Sequence, residues 1–313
     1  MPRAPEHRRR AQGNSYGIGE WYCRLYRTLG HADRLGLISP PLPAECRFMS
    51  DMPGLAPRGR AVCNKQGGVC SLRSFALDDD GGLAFGPITA TCPNRFLEGS
   101  TVFNEIGRTL LGTEHALIAK EIPFLIRPQT NGEMDPTEPA PVADAEDVGR
   151  IDMVMVHPDT ERLNWCAVEL QAVYFSGGAM GKDFEAIRRH TGDGVPMPGA
   201  ARRPDFRSCG PKRLMPQLQT KVPTLRRWGR KMAVVVDRPF FDSLGPMDSV
   251  PHVSNSDIIW FIVRFDEAPD GDIATMAIDA VRYTTLERAV EGLTAGIPTS
   301  LEDFEAKIRT KLR

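Results

Sequence analysis

Residues 150–175 read RIDMVMVHPDTERLNWCAVELQAVYF, and the fold turns on how that stretch is parsed. RIDMVMVH (150–157) and WCAVELQAVYF (165–175) are apolar runs rich in β-branched residues, with a polar turn between them from Pro158 to Asn164. That pattern predicts two strands joined as a hairpin. A strand alternates faces with period two, so Glu169 and Gln171 point one way, roughly 7 Å apart along the chain, while Val168 and Leu170 point the other. Asp152, near the start of the first strand, then falls across from Glu169 at one end of the sheet.

Outward from this hairpin, the upstream segment 98–112 carries Val102, Ile106 and Leu110 at helical spacing, with Ser100 or Thr101 as a cap. Residues 115–127 predict a further strand ended by Pro128, and 129–147 a polar, acidic loop. Downstream, helices are expected at 180–190 and 214–229, the second interrupted by Pro223, and strands at 230–237 and 257–265. Helices at 284–293 and 300–312 follow. The order helix, three strands, helix, strand gives an α/β fold, with helices flanking a central mixed sheet. Residues 1–15 read as a disordered basic N-terminus, and EWYCRLYRTL (20–29) as a short amphipathic helix. Residues 38–95 are rich in Gly, Pro and Cys with little periodicity, so they need a staple in place of a core of their own. The expected division is therefore 1–15, a cysteine segment at 16–97, and a main domain at 98–313.

Two carboxylates converging from neighbouring strands suit Mg²⁺, which takes oxygen ligands octahedrally and keeps several waters. Asp152, Glu169 and the backbone carbonyl of Leu170 could supply three oxygens, and Gln171 could orient an attacking water. Glu-x-Gln on a strand is also an ordinary solvent face. What distinguishes Glu169 is its apolar flanks, which half-bury it; a buried carboxylate needs a partner, and a metal, a Lys or an Arg would each serve.

Of seven cysteines, Cys46, Cys63, Cys70 and Cys92 fall within the segment that lacks a core. Four thiolates would make a closed structural site, and sulfur suits zinc and iron alike. The alternative is four buried free thiols. An odd cysteine count in a chain without an apolar leader argues against a disulfide framework and for a cytoplasmic location.

Net charge is −1, but Ala200–Lys231 holds ten Lys/Arg against one Asp. The first cationic group is Arg202, Arg203, Arg207, Lys212 and Arg213; the second is Lys221, Arg226, Arg227, Arg230 and Lys231. A dense basic stretch in a balanced chain fits a protein that holds a polyanion in a groove. No apolar run is long enough to span a bilayer.

CPNRF (92–96), KEIPFL (120–125), GRIDMV (149–154), CAVELQAVYFSGG (166–178) and KVPTLRRWGRK (221–231) occur in an order that resembles the NotI-type restriction endonucleases, over about Cys46 to residue 265. The resemblance implies a PD-(D/E)XK nuclease core in which E-x-Q replaces E-x-K. It implies Mg²⁺ catalysis with Asp152, Glu169 and Gln171, and one more upstream acid. Glu121 is the preferred candidate for that acid; Glu105 is the other and also reads as an ordinary helix-surface residue. It further implies a Cys₄ metal, reported for the family as iron, and double-stranded DNA with a GC-rich site as substrate. An Arg-rich loop suits guanine readout. Cutting both strands of a palindrome calls for a homodimer, and a type II enzyme for a cognate methyltransferase. The competing readings are a repair or nicking nuclease with the same site, and a non-catalytic, metal-stapled DNA-binding regulator.

Overall fold

The computed structural model describes residues 15–21, 24–25, 44–52, 55, 61–77, 83–126, 147–175, 182–183, 186, 189, 204–267, 274–294, 296 and 299–312. The first described elements are strands. β1 (Ser15–Trp21), β2 (Arg24–Leu25), β3 (Val69–Leu77) and β4 (Leu83–Ala90) form an antiparallel sheet in the order β2-β1-β3-β4. The expected helix at 20–29 is thus overturned for its described residues. Glu20 is fully buried in β1 and bonds the Arg95 guanidinium, a tertiary tie that outweighs local helical spacing. A short helix α1 (Arg47–Ser50) lies between β2 and β3 in the chain.

Helix α2 (Thr101–Leu111) follows, ended by Gly112 in the left-handed conformation. Ser100 precedes it at φ 56° and makes no capping bond; its hydroxyl instead donates to the Asp51 carbonyl. The main sheet then runs β10-β9-β8-β7-β6-β5. It comprises β5 (Leu117–Ile126), β6 (Asp147–Val156), β7 (Trp165–Leu170), β8 (Met232–Asp237), β9 (Ile258–Glu267) and β10 (Ala274–Thr284). β7, β8 and β9 are parallel and the outer pairings antiparallel, so the sheet is mixed. Pro123 inside β5 is tolerated because β5 is an edge strand. Between β7 and β8 come α3 (Phe206–Cys209), a π-type turn at Gly210–Leu214, and α4 (Met215–Arg227). The later helices are α5 (Arg238–Asp242), α6 (Leu286–Leu293) and α7 (Leu301–Lys311). Residues 1–14, the acidic loop at 129–146 and most of the expected helix at 180–190 lie outside the described residues.

Period two sorts the sheet's side chains onto two faces. Ala233, Val235, Ile259 and Phe261 join α2 through Val102, Phe103 and Ile106. Met232, Val234, Val236, Trp260 and Ile262 join Leu218, Val222 and Leu225 of α4 and Leu293 of α6. Each fully buried side chain of this size is worth roughly 1.5–3 kcal/mol, so the two apolar layers hold β8 and β9 as the rigid centre. The first layer also takes in Cys46, Phe48, Cys70 and Ala90, so the cysteine segment and the main sheet share one core. Ala90 ties them further: its N–H donates to Asp237 Oδ2 at 2.7 Å and its carbonyl accepts from Val173 N at 2.8 Å. By contrast, α7 buries none of its residues and exposes Leu301, Phe304 and Ile308, with Leu312 exposed just beyond its end.

Candidate active site

Met153 of β6 pairs with Val168 of β7, so the next antiparallel step sets Asp152 opposite Glu169. Both lie in phase with residues of the layer that α4 covers: Asp152 with Val154, Glu169 with Ala167. Leu218, Val222 and Leu225 of α4 are buried there, and Lys221 occupies the remaining position of that i, i+3, i+4, i+7 stripe. Its ammonium donates to Glu169 Oε2 at 2.9 Å, Asp152 Oδ2 at 3.3 Å and Gln217 Oε1 at 2.8 Å. The two acids therefore converge on a single cation.

Their environments differ. The Glu169 side chain is 5% exposed and that of Asp152 55%. Burial pushes the Glu169 carboxyl up to about 7, against the opposing pull of Lys221, and neighbouring Asp152 pushes the same way as burial. The cluster is closed on the Glu169 side and open to solvent on the Asp152 side.

The other expected site residues are placed as follows. Gln171 sits just past the end of β7, buried, with its backbone N–H on Val235 O and its side-chain Nε2 donating to Ala172 O at 2.5 Å. Glu121 falls between Lys120 and Ile122, which pair with Met153 and Ile151, so it stands in the same cross-strand row as Asp152. Its backbone is left-handed at φ 55°, unusual for a non-glycine strand residue. Its exposed carboxylate lies 4.0 Å from Arg150 Nη1. Glu105 is on α2, which packs on the opposite face of the sheet, and it bonds Arg108 and Thr109. The structure thus brings together Asp152 and Glu169, sets Glu121 in line with them, and leaves Glu105 apart.

Among the basic residues, Arg207, Lys212 and Arg213 are exposed. Arg213 stacks on the ring of Tyr174 at 3.8 Å, and Lys65 approaches the same ring at 5.9 Å. This cationic and aromatic ledge lies three residues beyond Gln171. Lys221, expected to face DNA, is instead buried against the acids, because it occupies a core position of its helix. Arg226 is held by Asp257 at 2.9 Å and by Glu287 at 3.1 Å. Arg230 bonds Asn164 Oδ1 and Leu163 O, Lys231 bonds the carbonyls of Ser254 and Ser256, and Arg227 bonds Thr224. Arg202 and Arg203 lie outside the described residues.

Cys46, Cys70 and Cys92 are buried and Cys63 half-buried, and none of the four is in a disulfide. The backbone gathers them: Cys46 N bonds Ala61 O, Cys63 N bonds Ala44 O, and Cys92 N bonds Cys70 O. Burial pushes the Cys63 and Cys92 thiols up, and charge on Cys46 would push both further. Among the described residues, no group of three or more His, Cys, Asp or Glu side chains is disposed as a ready metal cage. Cys166 is buried under the sheet, its thiol pushed up to about 12 by burial. Cys209 is buried in α3, where its sulfur accepts from Tyr174 N.

Sequence reasoning missed the buried charges of Arg95, its partners Glu20 and Glu98, and Asp237, and misassigned Lys221. Arg95 is wholly buried, bonding Glu20 at 2.7 Å, Glu98 at 2.8 Å and the Ala274 carbonyl at 2.8 Å. Its guanidinium also lies over the rings of Phe48 and Phe265. Asp237 is wholly buried at the end of β8 and accepts from Ala90 N and Phe240 N. Only Lys221 left a readable signal, a cation within the apolar stripe of α4.

No helix among the described residues is long and apolar enough to cross a membrane. No curated protein matches the chain significantly. Residues 44–276 match the family model described as restriction endonuclease NotI. That span covers all six residues Glu105, Glu121, Asp152, Glu169, Gln171 and Lys221, and the four clustered cysteines, but stops short of α6 and α7.

Proposed function

Because the chain belongs to the NotI restriction endonuclease family, and so to the nucleases that cleave double-stranded DNA, we propose that it is a Mg²⁺-dependent type II enzyme of the PD-(D/E)XK kind. The observation that carries this reading is the convergence of Asp152 and Glu169 on the Lys221 ammonium. A cation already stands where both carboxylates point, so the donors fit a hard divalent ion, with the Leu170 carbonyl as a third oxygen. When bound, Mg²⁺ supplies Lewis acidity and an acidified water to the scissile phosphate. Asp152 and Glu169 hold the ion, and the burial of Glu169 keeps bulk water from one side. Gln171 orients the attacking water once its amide leaves Ala172, and Glu121, in the same row, is the further acid.

Arg207, Lys212 and Arg213, with Arg213 and Lys65 both against the Tyr174 ring, form the DNA-facing ledge; Arg202 and Arg203, outside the described residues, are proposed as DNA contacts from sequence alone. Phosphate contacts position the duplex, and arginine pairs bidentately with guanine, which suits a GC-rich site. Arg226 is left out of this surface because its guanidinium is already committed to Asp257 and Glu287. Cys46, Cys63, Cys70 and Cys92 are the set that would hold a structural iron or zinc; the backbone bonds that bring Cys46 beside Cys63 and Cys70 beside Cys92 support it. A palindromic target makes the working unit a homodimer, paired in the cell with a cognate methyltransferase.

The test is plasmid DNA incubated with Mg²⁺ or with EDTA. Discrete Mg²⁺-dependent fragments are expected; nicked circles would make the chain a nickase, and unchanged DNA a regulator. Asp152→Asn should stop cutting while DNA binding persists, and a variant that cuts at the wild-type rate removes Asp152 from the site.

A further inference from the structure

We propose that Lys221 is a built-in counter-cation of the metal site: it holds Asp152 and Glu169 together in the metal-free protein, and a divalent ion must displace its ammonium from Glu169 in order to bind. The inference rests on the nuclease reading above and adds a competition that the family assignment does not supply.

Three features lead to it. First, the ammonium has three N–H groups and three acceptors, on Glu169, Asp152 and Gln217, so it is saturated where it stands. Second, among the described residues Lys221 is the one cation paired with either acid, and it is paired with both. A divalent ion bound by both carboxylates would occupy the same point, and two cations a hydrogen-bond length apart repel strongly in a buried setting. Third, the cluster offers a way in and a way out. Asp152 is open to solvent, which gives an ion access without unpacking the sheet. Gln217 lies one turn back on α4 and is half-buried, which leaves the ammonium an acceptor outside the acid pair. The lysine stem has four rotatable methylenes and can swing toward it while its root stays packed beside Leu218, Val222 and Leu225.

Lys221 is thus a positioning residue. Without it, the buried Glu169 carboxylate would face Asp152 with no positive charge between them, and the metal-free site would be weaker. With it, the carboxylates are prearranged, but the ion binds less tightly than the bare acid pair would allow.

The experiment is calorimetric titration of Ca²⁺ into the full chain, without DNA, alongside melting curves in EDTA and in Ca²⁺. Ca²⁺ is the probe because it seeks oxygen ligands and leaves thiolates alone. The proteins are wild type, Lys221→Met, Lys221→Gln and Asp152→Asn. Lys221→Met should bind Ca²⁺ about tenfold more tightly than wild type, the scale of one lost competing charge-assisted hydrogen bond. It should also melt lower in EDTA and recover more on adding Ca²⁺ than wild type does. Lys221→Gln, which keeps a hydrogen-bonding head and tolerates the buried site if the methionine does not fold, should change in the same direction. Equal or weaker Ca²⁺ binding by the folded Lys221 variants, with binding lost in Asp152→Asn, overturns the competition and leaves the nuclease reading intact. Ca²⁺ binding that Asp152→Asn does not alter, or none in any protein, overturns both.

Discussion

Arg95 and Lys221 are both buried cations held by two carboxylates, yet they do opposite things. Arg95 is sealed: Glu20 is wholly buried, Glu98 nearly so, a backbone carbonyl takes a third bond, and aromatic rings lie against the guanidinium. Lys221 shares one buried acid and one that is half open to water. Arginine's planar fork suits the first task, because it fixes several acceptors at once; lysine's single mobile head suits the second. The lesson is that burial of a charge does not by itself mark a functional site. The mark is burial on one side with exposure on the other, so that a reactant can enter.

Arg95→Met should break the sealed cluster most severely. It strands two buried carboxylates and should cost about 3–5 kcal/mol of stability, read by denaturant melts. An Arg95→Met protein that melts like wild type would put the two cations on an equal footing and end the distinction. Next, Asp152→Asn should lower cleavage at least about a thousandfold, close to 4 kcal/mol of transition-state stabilisation, with a nearly unchanged melting temperature. Glu169→Gln should match the loss of activity, with a larger change in melting.

Asp237 offers a smaller, pH-dependent contrast: a buried anion whose hydrogen-bond donors among the described residues are both backbone N–H groups. Burial lifts its carboxyl from the ordinary 3.8 to about 7, against the pull of its two backbone N–H partners. Folding therefore takes up a proton, and the resulting stabilisation is complete below pH 3.8 and lost as pH rises through about 7. One such group contributes at most about 1.4 kcal/mol per pH unit. Melting of wild type should fall between pH 5 and 8, and Asp237→Asn, less stable at every pH, should show a flatter decline. A steeper decline in the variant would contradict the assignment. Smallest of all, Arg226→Ala should cost under about 1 kcal/mol, since its pairs are at the surface. It should leave DNA affinity and its salt dependence alone, whereas Arg213→Ala should weaken both in gel-shift titrations over a range of salt.

Much of the main sheet was legible because strands buried on both faces, such as MAVVVD and IIWFIV, read as unbroken apolar runs. The hairpin that carries Asp152 and Glu169 was legible from its turn and its period. β10 was not: a register shift between Ile278 and Ala280 breaks the alternation that would have announced it. Nor was β1, because Glu20 is drawn inward by an arginine 75 residues away. The need of Glu169 for a partner could be read from its apolar flanks, and lysine stood among the options. Which lysine answers it could not, until the phase of α4 turned Lys221 inward. The cysteine cluster was visible as composition, but its joint core with α2 was not, since apolar spacing within 38–95 is irregular.

Ala90 reaches into the main sheet from both sides of its peptide unit, to Asp237 and to Val173. Severing the chain after residue 97 would therefore not release a self-sufficient nuclease. It would leave a carboxylate in the interior missing one of its two donors, and a loose amide two positions from Gln171. The cysteine-bearing part and the cutting part have to be inherited, expressed and engineered as one object.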